Sequence, residues 1–138
     1  MTVFVCLDDD GGMLFNRRRQ SRDGAVQEAL TAYARTHTLW MSRYSATLFD
    51  DATPFRVDDA YHEHMGDEEA CFVEDGVLDV NRADELVVFR WNRRYPSDRR
   101  FPKEALTAAW VLIGTRDLIG TSHDCITEEH YRKKGVTA

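Results

Sequence analysis

The chain has 138 residues, 43% hydrophobic and 30% charged, the size and balance of one domain that buries a core without disulfides. Its 24 acidic and 18 basic residues leave a formal charge of −6, which argues against nucleic-acid binding by the surface as a whole, because an acidic body repels phosphate. Three widely spaced cysteines with no CxxC pair, Cys6, Cys71 and Cys125, exclude a disulfide framework and a zinc ribbon and favour a reducing compartment.

No apolar run approaches the ~20 residues that span a bilayer, and the opening MTVFVCLDDD turns acidic where a signal peptide stays apolar. The expectation is a cytoplasmic protein with no membrane partner, folded as a single domain over 1–138. Thr2 to Leu7 is a continuous run of β-formers, too short for a helix, and reads as a strand buried on both faces. Asp8-Asp9-Asp10-Gly11-Gly12 is a turn, and Met13 to Arg22 reads as a loop anchored by Phe15. Val26, Ala29, Leu30, Tyr33 and Ala34 recur at helical spacing, so a helix is expected over Asp23 to Thr36 with Ser21 or Asp23 as its cap.

Thr38 to Met41 is a second buried strand, followed by a polar turn and a short helix from Ser45 to Phe49. A strand at Pro54 to Val57, a short acidic helix from Asp58 to Met65 capped by Asp58 and a strand at Ala70 to Val73, ended by Glu74-Asp75-Gly76, come next. A short segment at Val77 to Arg82 leads into Leu86 to Trp91, the clearest strand of all. Trp110 to Ile113, expected to pair antiparallel with it, and His123 to Thr127 close the chain before a polar tail. Strand and helix alternate early and strands cluster late. That order describes an α/β fold of three layers, with a mostly parallel central sheet and an antiparallel C-terminal hairpin.

Fifteen of the 18 basic residues are arginine, and nine fall in two windows, Arg17 to Arg22 and Arg90 to Arg100. The planar guanidinium grips phosphate or carboxylate in a fork. Asn16, Arg17, Arg18 and Arg19 stand after a Gly-Gly turn beyond the first strand, where open α/β sheets hold their ligands. Arg43, Tyr44 and Ser45 follow the second strand at a helix start, whose free amides suit an anion. These seven residues are the expected ligand-binding set.

Other constellations carry less. His62-Glu63-His64-Met65-Gly66-Asp67 nearly spells the H-x-H-x-D-H metal signature, but the aspartate is one place late and too few ligands assemble, so no metal site is expected. Ser122-His123-Asp124 are consecutive, and neighbours in a strand point to opposite faces, so they cannot make a catalytic triad among themselves. The cysteines sit in apolar segments as inert core thiols. The three tryptophans read as packing residues.

Leu86 to Trp91, the Phe101-Pro102 gap, Trp110 and the Thr121-Ser122-His123-Asp124 step resemble the end of the dihydrofolate reductase fold. Val3 to Leu7 with Asp8, Gly12 and Asn16 resembles that family's first strand and mobile loop, and Trp40 to Ser45 is similar to its phosphate-binding strand-to-helix turn. The resemblance covers most of the chain and implies a dihydrofolate-reductase-like fold with NADPH as the possible cofactor. Two features depart from it. Glu74-Asp75-Gly76 stands where a diglycine cradle meets pyrophosphate, and the acid that protonates pterin has no match, Asp23 and Glu28 being nearest.

The function expected is binding of a small anionic, nucleotide- or phosphate-bearing ligand in an Arg-lined cleft at the C-terminal ends of the strands. The alternatives are a nicotinamide-dependent reductase related to dihydrofolate reductase, and RNA binding or processing should the two Arg windows share a face.

Overall fold

The computed structural model describes residues 1–75, 80–101, 106 and 108–135. Gly76 to Asp79, Pro102 and the tail from Val136 lie outside them. A seven-stranded sheet forms the centre. Its strands are β1 (Thr2–Leu7), β4 (Leu39–Met41), β5 (Arg56–Val57), β6 (Ala70–Phe72), β7 (Glu85–Arg90), β9 (Trp110–Ile119) and β10 (Cys125–Lys133), in the order β5-β4-β6-β1-β7-β10-β9. The pairings from β5 to β7 are parallel, and those of β10 with β7 and with β9 are antiparallel.

β1 is apolar throughout because it is central and covered on both faces. Val3, Val5 and Leu7 feed one core with Leu86, Val88 and Tyr61; Phe4 feeds the other with Val87, Phe89 and Phe72. Helix α1 (Gly24–Ala34) lays Val26 and Leu30 onto the second core. On the opposite face α3 (Tyr61–His64) contributes Tyr61, and Met65 follows it. The expected α/β architecture is therefore the one observed.

Several elements differ from the sequence expectation. Trp110 to Ile113 does not pair with the β7 strand; it opens the ten-residue β9, which pairs with β10. β10 runs nine residues through the supposed polar tail, because its polar side chains find cross-strand partners. Arg90 Nε donates to Glu129 Oε1 at 2.6 Å, and Arg116 Nη2 to Glu128 Oε1 at 3.2 Å. The segment Met13 to Arg22 is no plain loop. β2 (Gly12–Phe15) and β3 (Arg18–Arg19) form a hairpin, and β8 (Arg99–Arg100) pairs on the other side of β2. The hairpin turns through Asn16 and Arg17 at φ 51° and 61°, the positive values that a two-residue type I′ turn requires.

The expected helix at Ser45 to Phe49 begins earlier, as α2 (Arg43–Ala46), because Ser42 Oγ accepts from Ser45 N at 3.1 Å and caps it. Asp58 does not cap α3. Its carboxylate takes Ala60 N at 2.8 Å and His64 Nδ1 at 2.6 Å. Cys71 is buried as expected, whereas Cys6 is only partly buried and Cys125 is exposed at the head of β10, so of the three core roles expected only that of Cys71 is met in full.

Leu30 is fully buried between α1 and the sheet. Leu30→Ala should cost about 2–5 kcal/mol through lost transfer energy and the cavity left behind, read as a lower urea midpoint with an unchanged m-value.

Candidate functional site

The segment from Arg19 to Asp23, between the hairpin and α1, places four side chains against four separate parts of the sheet's carboxyl end. Arg19 turns back over α2. Its Nε meets Glu74 Oε2 at 2.9 Å and its Nη2 meets Glu74 Oε1 at 3.1 Å, while Nη2 also donates to the Tyr44 carbonyl at 2.9 Å. The guanidinium lies 4.1 Å above the Tyr44 ring, and Arg19 N donates to Tyr44 Oη at 3.0 Å. Ser45 Oγ adds a 2.7 Å bond to the same Glu74 carboxylate.

Gln20 Nε2 donates to Asp8 Oδ2 at 3.0 Å and to the Pro96 carbonyl at 3.2 Å. With the amide held this way its Oε1 is buried without a hydrogen-bond partner among the described residues. Asp8 is fully buried and also accepts from the amides of Asp10, Gly12 and Tyr95. Burial alone would raise its pKa; the Gly12, Tyr95 and Asp10 amides and Gln20 outweigh it and hold the carboxylate below the ordinary range. Gly12 has to be glycine here, since a Cβ would stand 2.5 Å from Gln20 Nε2 and 2.8 Å from Asp8 Oδ2.

Ser21 Oγ is 3.1 Å from His123 Nε2, and Tyr95 Oη is 2.9 Å from the same nitrogen. His123 is buried, stacks on Trp91 with centroids 4.9 Å apart, and faces Asp23 Oδ2 through Nδ1 at 3.0 Å. Asp23 is the N-cap of α1, accepting from Ala25 N at 2.8 Å. It also accepts from the amides of Thr121, Ser122 and His123, at 2.9 to 3.0 Å.

Two pockets adjoin this segment. One, of about 570 Å³, is lined by Asp59, Glu74, Asp75 and Asp98 as well as Arg17 and Arg99. The other, of about 490 Å³, is lined by Phe15, Asn16, Arg18, Arg19, Gln20, Tyr95 and Pro96, with no carboxylate.

The seven expected residues are thus divided. Asn16, Arg18 and Arg19 share the acid-free pocket, and Arg17 and Tyr44 line the acidic one. Ser45 is buried against Glu74. Arg43 is exposed and joins neither lining; its amide is held by Asp59 Oδ1 at 2.9 Å. Glu74, Gln20, Ser21, Tyr95, Asp23 and His123 were outside the expected set. Ser21 and Asp23 were signalled only as helix caps and Glu74 only as the end of a strand, and none of these signals reveals who meets whom. His64 pairs with Asp58, and among the described residues no three metal-ligating side chains gather. No helix of those residues is long and apolar enough to cross a membrane.

Two outcomes follow. Burial raises the Asp23 pKa, but the Thr121, Ala25 and Ser122 amides and His123 more than offset it and hold the carboxylate far below its ordinary value. The unfolded chain therefore binds that proton more readily, so Asp23 contributes stability above about pH 4 that is lost as pH falls toward the lowered native value. Asp23→Ala should flatten this acid limb in urea titrations and lower stability at neutral pH by roughly 1–3 kcal/mol. Breaking the partly buried Arg19–Glu74 pair with Glu74→Gln should cost roughly 1.5–3 kcal/mol and speed amide exchange in Arg18 to Gln20, with a double-mutant cycle against Arg19→Ala giving nonadditive losses.

No protein-family model and no curated protein sequence matches this chain. Among solved structures it is similar to dihydrofolate reductase from Enterococcus faecalis complexed with NADP(H) and RAB-propyl, at a TM-score of 0.62 and 11% sequence identity. The match spans 96% of this chain and 95% of that one. With identity this low the likeness is one of architecture, and the sheet order, the flanking layers and the end-to-end match agree: the chain has a dihydrofolate-reductase-like fold.

Proposed function

We propose that the protein binds a small anionic molecule, phosphate- or carboxylate-bearing and with a flat ring, in the acid-free pocket between the β2–β3 hairpin and the β7–β8 connection. The carrying observation is the lining itself. In a chain with 24 acidic residues, this pocket of about 490 Å³ presents Asn16, Arg18 and Gln20 beside Phe15 and Tyr95, and no carboxylate. Arg18 is exposed and has no ion-pair partner among the described residues, so its fork is available to an anion. Phe15, 43% exposed, offers a ring face. Tyr44 and Ser45 act from behind, holding Arg19 and Glu74 so that the hairpin keeps its shape.

The fold likeness to an NADP(H) complex favours a second reading, a nicotinamide-dependent reductase. The residues of this chain do not fit that cofactor's pyrophosphate. Glu74 and Asp75 occupy the position of the expected glycine cradle, and Glu74 already engages Ser45 Oγ and Arg19. A pyrophosphate there would meet like charge in a pocket with four carboxylates against two arginines. The RNA reading draws on β3 and β8, which bring both arginine windows into one three-stranded sheet.

Thermal shift and calorimetry with inorganic phosphate, mononucleotides, NADPH and a short single-stranded RNA separate the three. Mononucleotide binding is expected to weaken with salt, and Arg18→Ala should lose about tenfold in affinity, ~1.4 kcal/mol, while Arg35→Ala on the exposed end of α1 changes nothing. Binding indifferent to Arg18→Ala overturns the reading. Loss of the reduced-cofactor absorbance with a folate- or flavin-like acceptor would favour the reductase instead.

A further inference from the structure

We propose that Ser21, His123 and Asp23 form a second, hydrolytic site, in which Ser21 is the nucleophile, His123 its base and Asp23 the group that orients the base, acting on small acyl esters. The proposal does not rest on the anion pocket, although Tyr95 borders both.

The three residues stand in the order of contacts that such chemistry needs. Ser21 Oγ lies 3.1 Å from His123 Nε2, and His123 Nδ1 lies 3.0 Å from Asp23 Oδ2. An ionised carboxylate only accepts hydrogen bonds, so the proton of the neutral ring sits on Nδ1 and Nε2 is left as the acceptor facing Ser21. The orienting pair is dry, with side-chain exposures of 3% for His123 and 0% for Asp23, and stacking on Trp91 fixes the ring plane. Ser21 itself is only partly buried.

The surroundings supply the remaining parts. Tyr95 Oη is 2.9 Å from Nε2 and 3.5 Å from Ser21 Oγ. It is a hydroxyl donor next to the attacking oxygen, placed to stabilise the oxyanion once Ser21 takes over the bond to Nε2. Ser21 shares a cavity of about 10 Å³ with Cys6, Trp91 and the first-turn residues Val26 and Gln27 of α1. That is room for about one water, and the positive end of an eleven-residue helix borders it.

The steps balance without a further reactant. Ser21 Oγ bonds to the ester carbonyl carbon as its proton passes to His123 Nε2. Collapse breaks the ester C–O bond, the alcohol leaves with that proton, and Ser21 holds the acyl group. Water then adds to the acyl carbon, giving a proton to Nε2; the Ser21–acyl bond breaks, the acid departs and the proton returns to Ser21.

The test treats the folded full-length chain with a fluorophosphonate, which phosphonylates an activated serine with loss of fluoride, and follows hydrolysis of p-nitrophenyl acetate. Mass spectrometry is expected to place a single adduct on Ser21. Ser21→Ala and His123→Gln should each lower esterase activity by about 100-fold or more and abolish the adduct. His123→Gln keeps a side chain against Trp91 but removes the base, and circular dichroism of Ser21→Ala confirms folding, since that change leaves the Asp23 contacts alone. Absence of an adduct on wild type, an adduct elsewhere, or full labelling of folded His123→Gln overturns the proposal. Anion binding in the neighbouring pocket should survive Ser21→Ala whichever way the labelling falls.

Discussion

One buried carboxylate holds the carboxyl-end face of this sheet together. Asp23 caps α1 and at the same time receives three successive amides and a histidine ring from residues about a hundred positions further on. The same group that starts the helix therefore fixes the turn between β9 and β10, and through His123 it fixes Trp91, Tyr95 and Ser21. The approach is close enough that Gly120 cannot carry a side chain: a Cβ would fall 2.1 Å from the His123 carbonyl oxygen and 2.8 Å from Asp23 Oδ2. Desolvating a carboxylate costs several kcal/mol unless its lone pairs are filled. Here every direction is filled, and a costly burial becomes a point of precision.

Asp8 repeats the device on the other flank of the same segment. Between the two carboxylates, Gln20 and Ser21 are held by side-chain hydrogen bonds although they belong to a connection. Arg19 completes the set from the side of α2. Its engagement with Glu74 and Tyr44 converts a charge that a ligand would have found attractive into part of the wall. Charge density in a sequence window thus says little about availability. Arg18 and Arg19 are neighbours, pair with different partners across β2, and end with opposite roles.

The strands of the parallel half were legible because burial on both faces leaves an uninterrupted apolar run, as in Thr2 to Leu7 and Leu86 to Phe89. Helix α1 was legible from the spacing of Val26 and Leu30 and from its Asp cap. The far halves of β9 and β10 were not. They carry polar runs, Thr115-Arg116-Asp117 and Thr127-Glu128-Glu129-His130, and what makes them strands is pairing across the ladder, which no local pattern contains. The hairpin at Asn16 and Arg17 lacked the glycine that usually announces a type I′ turn. The site was legible as a region and not as a set of partners. Asn16 to Arg19 lies beyond the carboxyl end of β1, whereas Glu74, Tyr95 and His123 join it only through tertiary approach, and no local pattern announces that the His123 ring meets Ser21 and Asp23.

The central position of β1 has a consequence for how the chain is made. Thr2 pairs with Ala70 on one side and with Glu85 on the other, so the most apolar strand leaves the ribosome well before either neighbour is synthesised. Until β6 and β7 arrive, its amides and its valines have no native ladder to join. Contacts this distant in sequence delay folding more than they weaken the final state. During that interval TVFVCL is an unsatisfied edge of the kind that aggregates, and the three aspartates directly behind it set like charges beside it.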